Sequence, residues 1–310
     1  MANFRIISFD GGGVRGALMA ALVQRIVEKI PDFLDKVDLL AGTSTGAMMA
    51  LGLADGKTAA EMVEVYSQEN MKFIFSPAGL GIFRPKYGNA NLIALLQKYF
   101  REGLTMGELK KRVMISTFEL DDKEEQDWSP VFFHNYPPRG KTKVKTGWSE
   151  LVISIALRSS AAPTIFPSHQ GYIDGGVMAN NPGTAALSVA LGQHADSLRL
   201  RDIRLLSLGT GLSPTLIKEN TANWGIFQWM FNSRPPQQAI LKILFDGVSE
   251  ADTVMCKQML GGSYLRLNPR LPQPMALDNW KLVPALVEIA QKFDLEPTLD
   301  WIKQNWTDSD

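Results

Sequence analysis

The chain has 310 residues, 45% of them apolar, and its 32 Lys and Arg balance 32 Asp and Glu. That length suits one large α/β domain or two small ones, and the apolar fraction is ordinary for a globular protein with a sizeable core. Zero formal charge excludes the broad basic field that holds a nucleic-acid polymer, and the single cysteine, Cys256, excludes an internal disulfide framework and fits a reducing compartment.

Met1 to Ile6 shows no basic segment followed by an apolar one, so no secretory signal is expected. The longest uncharged runs, Leu39 to Ala54 and Gly175 to Ala195, are interrupted by glycines, hydroxyls and Asn180-Asn181-Pro182. Neither reads as a transmembrane helix. The expectation is a cytoplasmic protein, with any membrane contact peripheral.

Asn3 to Phe9 alternates into an apolar strand, and Gly11 to Gly16 is a glycine-rich turn. Ala17 to Ile30 has helical spacing at Leu18, Ala21, Leu22 and Ile26, and Pro31 stops it. A second strand begins at Val37 and runs into Gly42-Thr43-Ser44-Thr45-Gly46, and Ala47 to Leu51 continues as helix. Thr58 to Phe75 reads as one helix, with Thr58 and Glu61 at capping-box spacing. Ser76 to Asn89 is a Gly- and Pro-rich loop, and Leu92 to Arg101 a short amphipathic helix.

Arg112 to Leu120 and Val131 to Tyr136 read as strands joined by the acidic turn Asp121 to Asp127. Ser149 to Leu157 is a buried helix, Gly171 to Ile173 a short strand running into Asp174, Gly183 to Leu191 a helix and Ile203 to Leu208 a strand. A long helix over Pro235 to Leu260, a strand at Tyr264 to Leu267 and helices near Asn279 to Phe293 and Glu296 to Asn305 complete the chain. Strands alternating with helices predict a mostly parallel sheet covered on both faces. No repeat or linker interrupts the pattern, so one domain over residues 1–310 is expected.

Three motifs carry chemistry. The first is Gly42 to Gly46, a G-x-S-x-G sequence between strand and helix, the context of a nucleophile elbow. Its turn lifts the Ser44 hydroxyl above the sheet edge and aims the first helical N–H groups, Thr45's among them, at a developing negative charge. The second is Asp10-Gly11-Gly12-Gly13-Val14-Arg15-Gly16, whose amides form a concavity suited to an anion. A tetrahedral oxyanion beside Ser44 is one candidate. A pyrophosphate is the other, since Gly11, Gly13 and Gly16 satisfy G-x-G-x-x-G; the second strand, however, ends in Gly42 and Ser44 where that fingerprint needs an acidic ribose clamp.

The third is Asp174-Gly175-Gly176 at the end of a short strand. A Ser nucleophile needs a base. His134 among aromatics reads as a packing residue, His194 ends a helix, and His169 is the best His alternative because it is near Asp174 in sequence.

With these pieces in order the chain resembles the patatin-like phospholipases. Arg158 to Pro167, Ala179 to Pro182 and Leu206 to Gly211 are also family-like, so the resemblance covers about Phe4 to Gly211. It implies a three-layer α/β/α fold and a catalytic dyad, with Ser44 the nucleophile and Asp174 the base. It further implies an oxyanion hole from the amides of Gly11, Gly12 and Gly13 with help from Thr45. Asp10, Arg15, Gly16, Gly42, Gly46, Gly175 and Gly176 support these groups. The implied activity is lipid acyl hydrolysis of the phospholipase A or lysophospholipase type, on a phospholipid or other acyl-ester lipid, without metal or cofactor. Some bacterial members are switched on by small nucleotide signals, and the last hundred residues leave room for a small-molecule activator without showing a site.

Two other functional classes fit the motifs. Acyl transfer or thioester cleavage on carrier-bound acyl groups would call for a His base, and a catalytically quiet nucleotide-binding protein would use the Gly11–Gly16 loop alone. Around the site, Trp224 to Phe231 is dense in aromatics. Core packing is the favoured reading, over a lid or interfacial anchor. The alternating Arg139, Lys141, Lys143 and Lys145 read as a solvated hairpin edge before they read as a headgroup-binding edge.

Overall fold

Side chains alternate across each strand, and here both faces of the strands are apolar. Ile7, Phe9, Leu40, Val113, Ile115, Leu206 and Leu208 belong to one buried cluster, and Ile6, Leu39, Ala41, Met114, Ile203 and Leu205 to another. A period of two with apolar residues on both sides requires helices above and below the sheet. The computed structural model describes residues 3–81, 83–122, 126–138, 146–214, 216–231 and 239–306.

Its strands are β1 (Phe4–Phe9), β2 (Leu39–Thr43), β3 (Arg112–Asp122), β4 (Asp127–His134), β5 (Tyr172–Asp174), β6 (Ile203–Leu208) and β7 (Tyr264–Leu267). They form one sheet in the order β4-β3-β2-β1-β6-β7, with β5 paired to β3. β1, β2, β3, β6 and β7 run parallel; β4 and β5 are antiparallel to β3. The larger cluster packs under α1 (Gly16–Lys29), α2 (Thr45–Asp55) and the helix Val283–Lys292. The smaller one packs under Ala186, Leu187 and Ala190 of the helix Gly183–Gln193 and under Cys256 and Leu260 of the helix Ala239–Leu260. This is the three-layer α/β/α arrangement with a mostly parallel central sheet that the sequence predicts.

The register brings the chemistry to one end of the sheet. Phe9 lies beside Gly42 on one side and Leu208 on the other, so Asp10, the Ser44 turn and Gly209 all leave the sheet at the same level. Ligands of open α/β sheets bind at these carboxyl ends.

One predicted element is split. The expected helix Thr58 to Phe75 is two helices, Ala59–Val65 and Gln68–Ile74. Its capping box forms as read, with Glu61 N–H on Thr58 Oγ1 and the Glu61 carboxylate accepting from Thr58 N–H. A second cap interrupts it, because Ser67 Oγ accepts from Asn70 N–H at 3.3 Å. The break lets Tyr66 donate its hydroxyl to the Thr45 carbonyl at 2.5 Å, inside the elbow helix. Among the described residues no helix is long and apolar enough to cross a membrane.

Candidate active site

Ser44 has φ 56° and ψ −121°, a region that a residue with a Cβ enters at a cost of about 1–3 kcal/mol. Several contacts hold it there. Ser44 N–H donates to Ser159 Oγ at 2.8 Å, and the Ser159 hydroxyl donates to the Ser116 carbonyl at 2.8 Å. Thr43 Oγ1 donates to the Ala179 carbonyl at 2.6 Å. The turn is also tight: a Cβ on Gly42 would lie 2.2 Å from the Gly46 carbonyl oxygen, and one on Gly46 would lie 2.1 Å from that of Phe9. Small residues two before and two after Ser44 are therefore a steric requirement.

Asp174 reaches Ser44 through β3. Thr43 pairs with Ser116, and Asp174 of the antiparallel β5 pairs with Thr117. The Ser44 hydroxyl donates to the Asp174 carboxyl, and Gly176 N–H donates to Asp174 Oδ1 at 2.7 Å. The carboxyl is buried. Desolvation pushes its pKa up to about 7, against the downward pull of the Ser44 hydroxyl and the Gly176 amide.

The glycine loop faces the same point, with one correction to its expected role. Gly11 N–H donates to the Asn180 carbonyl at 3.0 Å, so that amide is committed to the scaffold and is not an oxyanion donor. Val14 N–H is likewise taken by the Leu277 carbonyl at 2.8 Å. The amides of Gly12, Gly13 and Thr45 have no acceptor among the described residues. Gly13 is held at φ +56°, and a Cβ there would fall 2.1 Å from the Leu277 oxygen. The protein's own segment 274–278 thus packs against the loop and lines the same cavity.

Asp10 anchors the loop from below. Arg266 forks onto it, Nη1 to Oδ1 at 2.8 Å and Nη2 to Oδ2 at 2.5 Å, and also reaches Ser207 Oγ at 2.9 Å. Burial raises the Asp10 carboxyl, while the Arg266 guanidinium and then Arg15 favour its charged form. Arg15 is buried at the wall of the site, where desolvation lowers its pKa and the charges of Asp246 and Asp10 pull the other way.

A cavity of about 910 Å³ opens over Ser44 and Asp174. Gly12, Gly13, Arg15 and Thr45 line it together with Ser44 and Asp174, and Met48, Met71, Ile74, Phe75, Leu92 and Phe166 give it an apolar wall. No histidine lines it. His169 sits on a bridge to Tyr172, His134 is buried edge-on to Tyr136, and His194 caps a helix C-terminus against Phe4 and Tyr136.

Three site residues have roles that the sequence reading does not assign: Ser159, Asn180 as an acceptor for Gly11, and Arg266. Ser159 and Asn180 lie in segments with family character, but neither hydrogen bond can be read from spacing. Arg266 is 256 positions from its partner.

The favoured core reading of Trp224 to Phe231 is overturned. Ile226–Phe231 is a surface helix whose Ile226 and Phe227 are exposed and whose Met230 reaches the cavity. Aromatic density marked this segment as buried, but burial depends on what packs over a segment. Arg139, Lys141, Lys143 and Lys145 lie outside the described residues.

The patatin-like phospholipase family model matches residues 7–187. The chain belongs to that family, and it is an enzyme of the lipid-hydrolase class. It is 31% identical over 326 residues to the Putative sporulation hydrolase CotR of Bacillus subtilis, covering 99% of each chain. It is 32% identical over 326 residues to Protein teg of Priestia megaterium, covering 99% of this chain and 100% of that one. To the cGAMP-activated phospholipase of Vibrio cholerae it is 28% identical over 316 residues, covering 88% and 84%.

Proposed function

We propose that the protein cleaves carboxylic esters of phospholipids or related acyl lipids through an acyl-enzyme on Ser44, with Asp174 as the base. The observation that carries this reading is the hydrogen bond from the Ser44 hydroxyl to a buried carboxyl whose pKa is raised to about 7. A base poised near the working pH can take the Ser proton as attack proceeds. Asp174 is the carboxyl that accepts the Ser44 hydrogen bond, and no histidine among the described residues lines the cavity to compete with it.

The proposed steps are these. Ser44 Oγ attacks the ester carbonyl carbon while its proton passes to Asp174. The carbonyl oxygen becomes an oxyanion facing the amides of Gly12, Gly13 and Thr45. Collapse of the tetrahedral intermediate expels the alcohol, which leaves with the proton from Asp174. Water then attacks the acyl carbonyl and gives a proton to Asp174, which passes it to Ser44 Oγ as the acyl–oxygen bond breaks, releasing the fatty acid and free Ser44. The apolar wall of Met48, Met71, Ile74, Phe75, Leu92 and Phe166 supports an acyl chain as the bound part of the substrate.

The test is product analysis by mass spectrometry on mixed phospholipids. Free fatty acid and lysophospholipid from the wild type, and neither from Ser44→Ala, are the expected products. Acyl groups moved to an added thiol carrier with no free acid would favour the transfer reading instead.

A further inference from the structure

We infer that the rim of this cavity is a docking surface for an anionic lipid bilayer, an inference that rests on the lipid-hydrolase reading of the site. The five most exposed large apolar side chains among the described residues are Phe83 (97%), Leu80 (91%), Ile226 (81%), Phe227 (71%) and Leu216 (69%). All five come from two segments, 76–89 and 213–231, far apart in sequence. Both segments also build the cavity wall, the first through Leu80 and Gly81 and the second through Ser213 and Met230. Scattered exposed apolar residues need no explanation, but the five most exposed gathered on the segments that frame one opening do.

Each segment holds its side chains outward by identifiable contacts. The 76–89 loop is pinned at its base. Gly79 N–H donates to the Lys86 carbonyl at 2.6 Å, and Lys86 N–H to the Thr164 carbonyl at 2.9 Å. The Lys86 ammonium and the Tyr87 hydroxyl both reach Asp278 Oδ2, at 2.5 and 3.0 Å. Leu80 and Phe83 therefore project from a braced base, so little ordering is left to be lost on docking. On the helix Ile226–Phe231, Ile226 and Phe227 stand four and three residues before Met230. They share its face one turn further out, so the apolar surface continues from the cavity to solvent. Trp224 packs edge-on to Trp229 beside them at 5.0 Å, the residue type that settles at the headgroup level of a bilayer.

Charge selects the kind of surface. Residues 76–89 contain Arg84 and Lys86 and no acidic residue. Lys86 is engaged with Asp278, whereas Arg84 is exposed and has no ion-pair partner among the described residues. A cation next to exposed Leu and Phe suits a bilayer with anionic headgroups. It also lets an ester leave the membrane for the cavity without crossing water.

The experiment is co-sedimentation of the Ser44→Ala protein with sucrose-loaded vesicles of phosphatidylcholine, with and without phosphatidylglycerol. The protein is expected to sediment with both and more strongly with the anionic ones. Phe83→Ser with Phe227→Ser in that background is expected to weaken partition by at least about tenfold. Arg84→Gln is expected to weaken it about fivefold on phosphatidylglycerol vesicles and not on neutral ones.

Neither phenylalanine lines the cavity, so the same pair of changes in the wild type should leave hydrolysis of a soluble short-chain ester unchanged, which also reports correct folding. Partition equal to the parent's would overturn the inference. So would a parent that self-associates in light scattering while the double variant does not, since the patch would then cover a second copy of this chain. A wild type that cleaves neither vesicle lipid nor soluble ester would instead defeat the hydrolase reading, while the sedimentation result still judges the docking surface.

Discussion

Thr43 and Asp174 pair with consecutive residues of β3, Ser116 and Thr117. Because β4 already occupies the other edge of β3 over Met114 to Glu119, β5 continues the edge that β2 leaves. The elbow that follows Thr43 therefore turns directly over the carboxyl carried by β5. Two strands of opposite direction are stapled to one strand at adjoining registers, and this brings Ser44 and Asp174 together.

With Asp174 as the proposed base, its protonation is expected to set the pH profile. It acts as a base only when ionised, and burial raises its pKa to about 7. kcat/KM is expected to rise with pH through an inflection near 7 and to show no inflection near 4, where an exposed Asp would titrate. A pH–rate profile on a soluble ester checks this.

Asp174→Asn should trade activity for stability. An acid whose folded pKa lies above its unfolded value of 3.8 holds more protons in the folded state between those two values. Its presence therefore lowers folding stability as pH rises from about 4 to about 7. The Asn variant should be more stable than wild type by a few kcal/mol at pH 8, with the gain vanishing near pH 4, and should lose about 10²–10⁴ in kcat. Thermal melts across that pH range and initial rates measure both.

Ser159 is a positioning residue, tied to Ser44 N–H and to the Ser116 carbonyl. Ser159→Ala leaves a buried N–H unsatisfied, at about 1–3 kcal/mol of stability. It should also loosen the elbow, lowering kcat about tenfold with KM little changed. A purely structural role would lower the melting temperature and leave kcat of the folded fraction intact.

Arg266→Met removes the fork from Asp10 and leaves a carboxylate buried beside the glycine loop. The expected loss is about 3–5 kcal/mol. Asp10→Asn combined with Arg266→Met should recover part of it, since no uncompensated charge is then buried. Denaturant unfolding of the three variants tests the coupling.

Much of this was legible in the sequence because it depends on local sterics. The elbow must have Gly42 and Gly46, since backbone atoms lie 2.2 and 2.1 Å from where a Cβ would be. The strands β1, β6 and β7 and the Thr58 capping box follow from period and cap chemistry that short windows contain. What was not legible depends on distant partners. The 58–75 helix breaks because the Ser67 cap competes with its continuation, and Tyr66 finds Thr45 across the fold. The glycine run marks Gly11 as an oxyanion donor, but its N–H goes to the Asn180 carbonyl, 169 positions away. Trp224 to Phe231 has the composition of a core segment, but Ile226 and Phe227 face solvent.

The central claim is that the Ser44 hydroxyl is the nucleophile and that Asp174 activates it. Its most direct measurement is peptide mapping by mass spectrometry after reaction with a fluorophosphonate. A single adduct on Ser44 is expected in the wild type, none in Ser44→Ala, and labelling slowed by orders of magnitude in a folded Asp174→Asn protein. An adduct on another residue, or Ser44 labelled at the wild-type rate without the carboxyl, would contradict it.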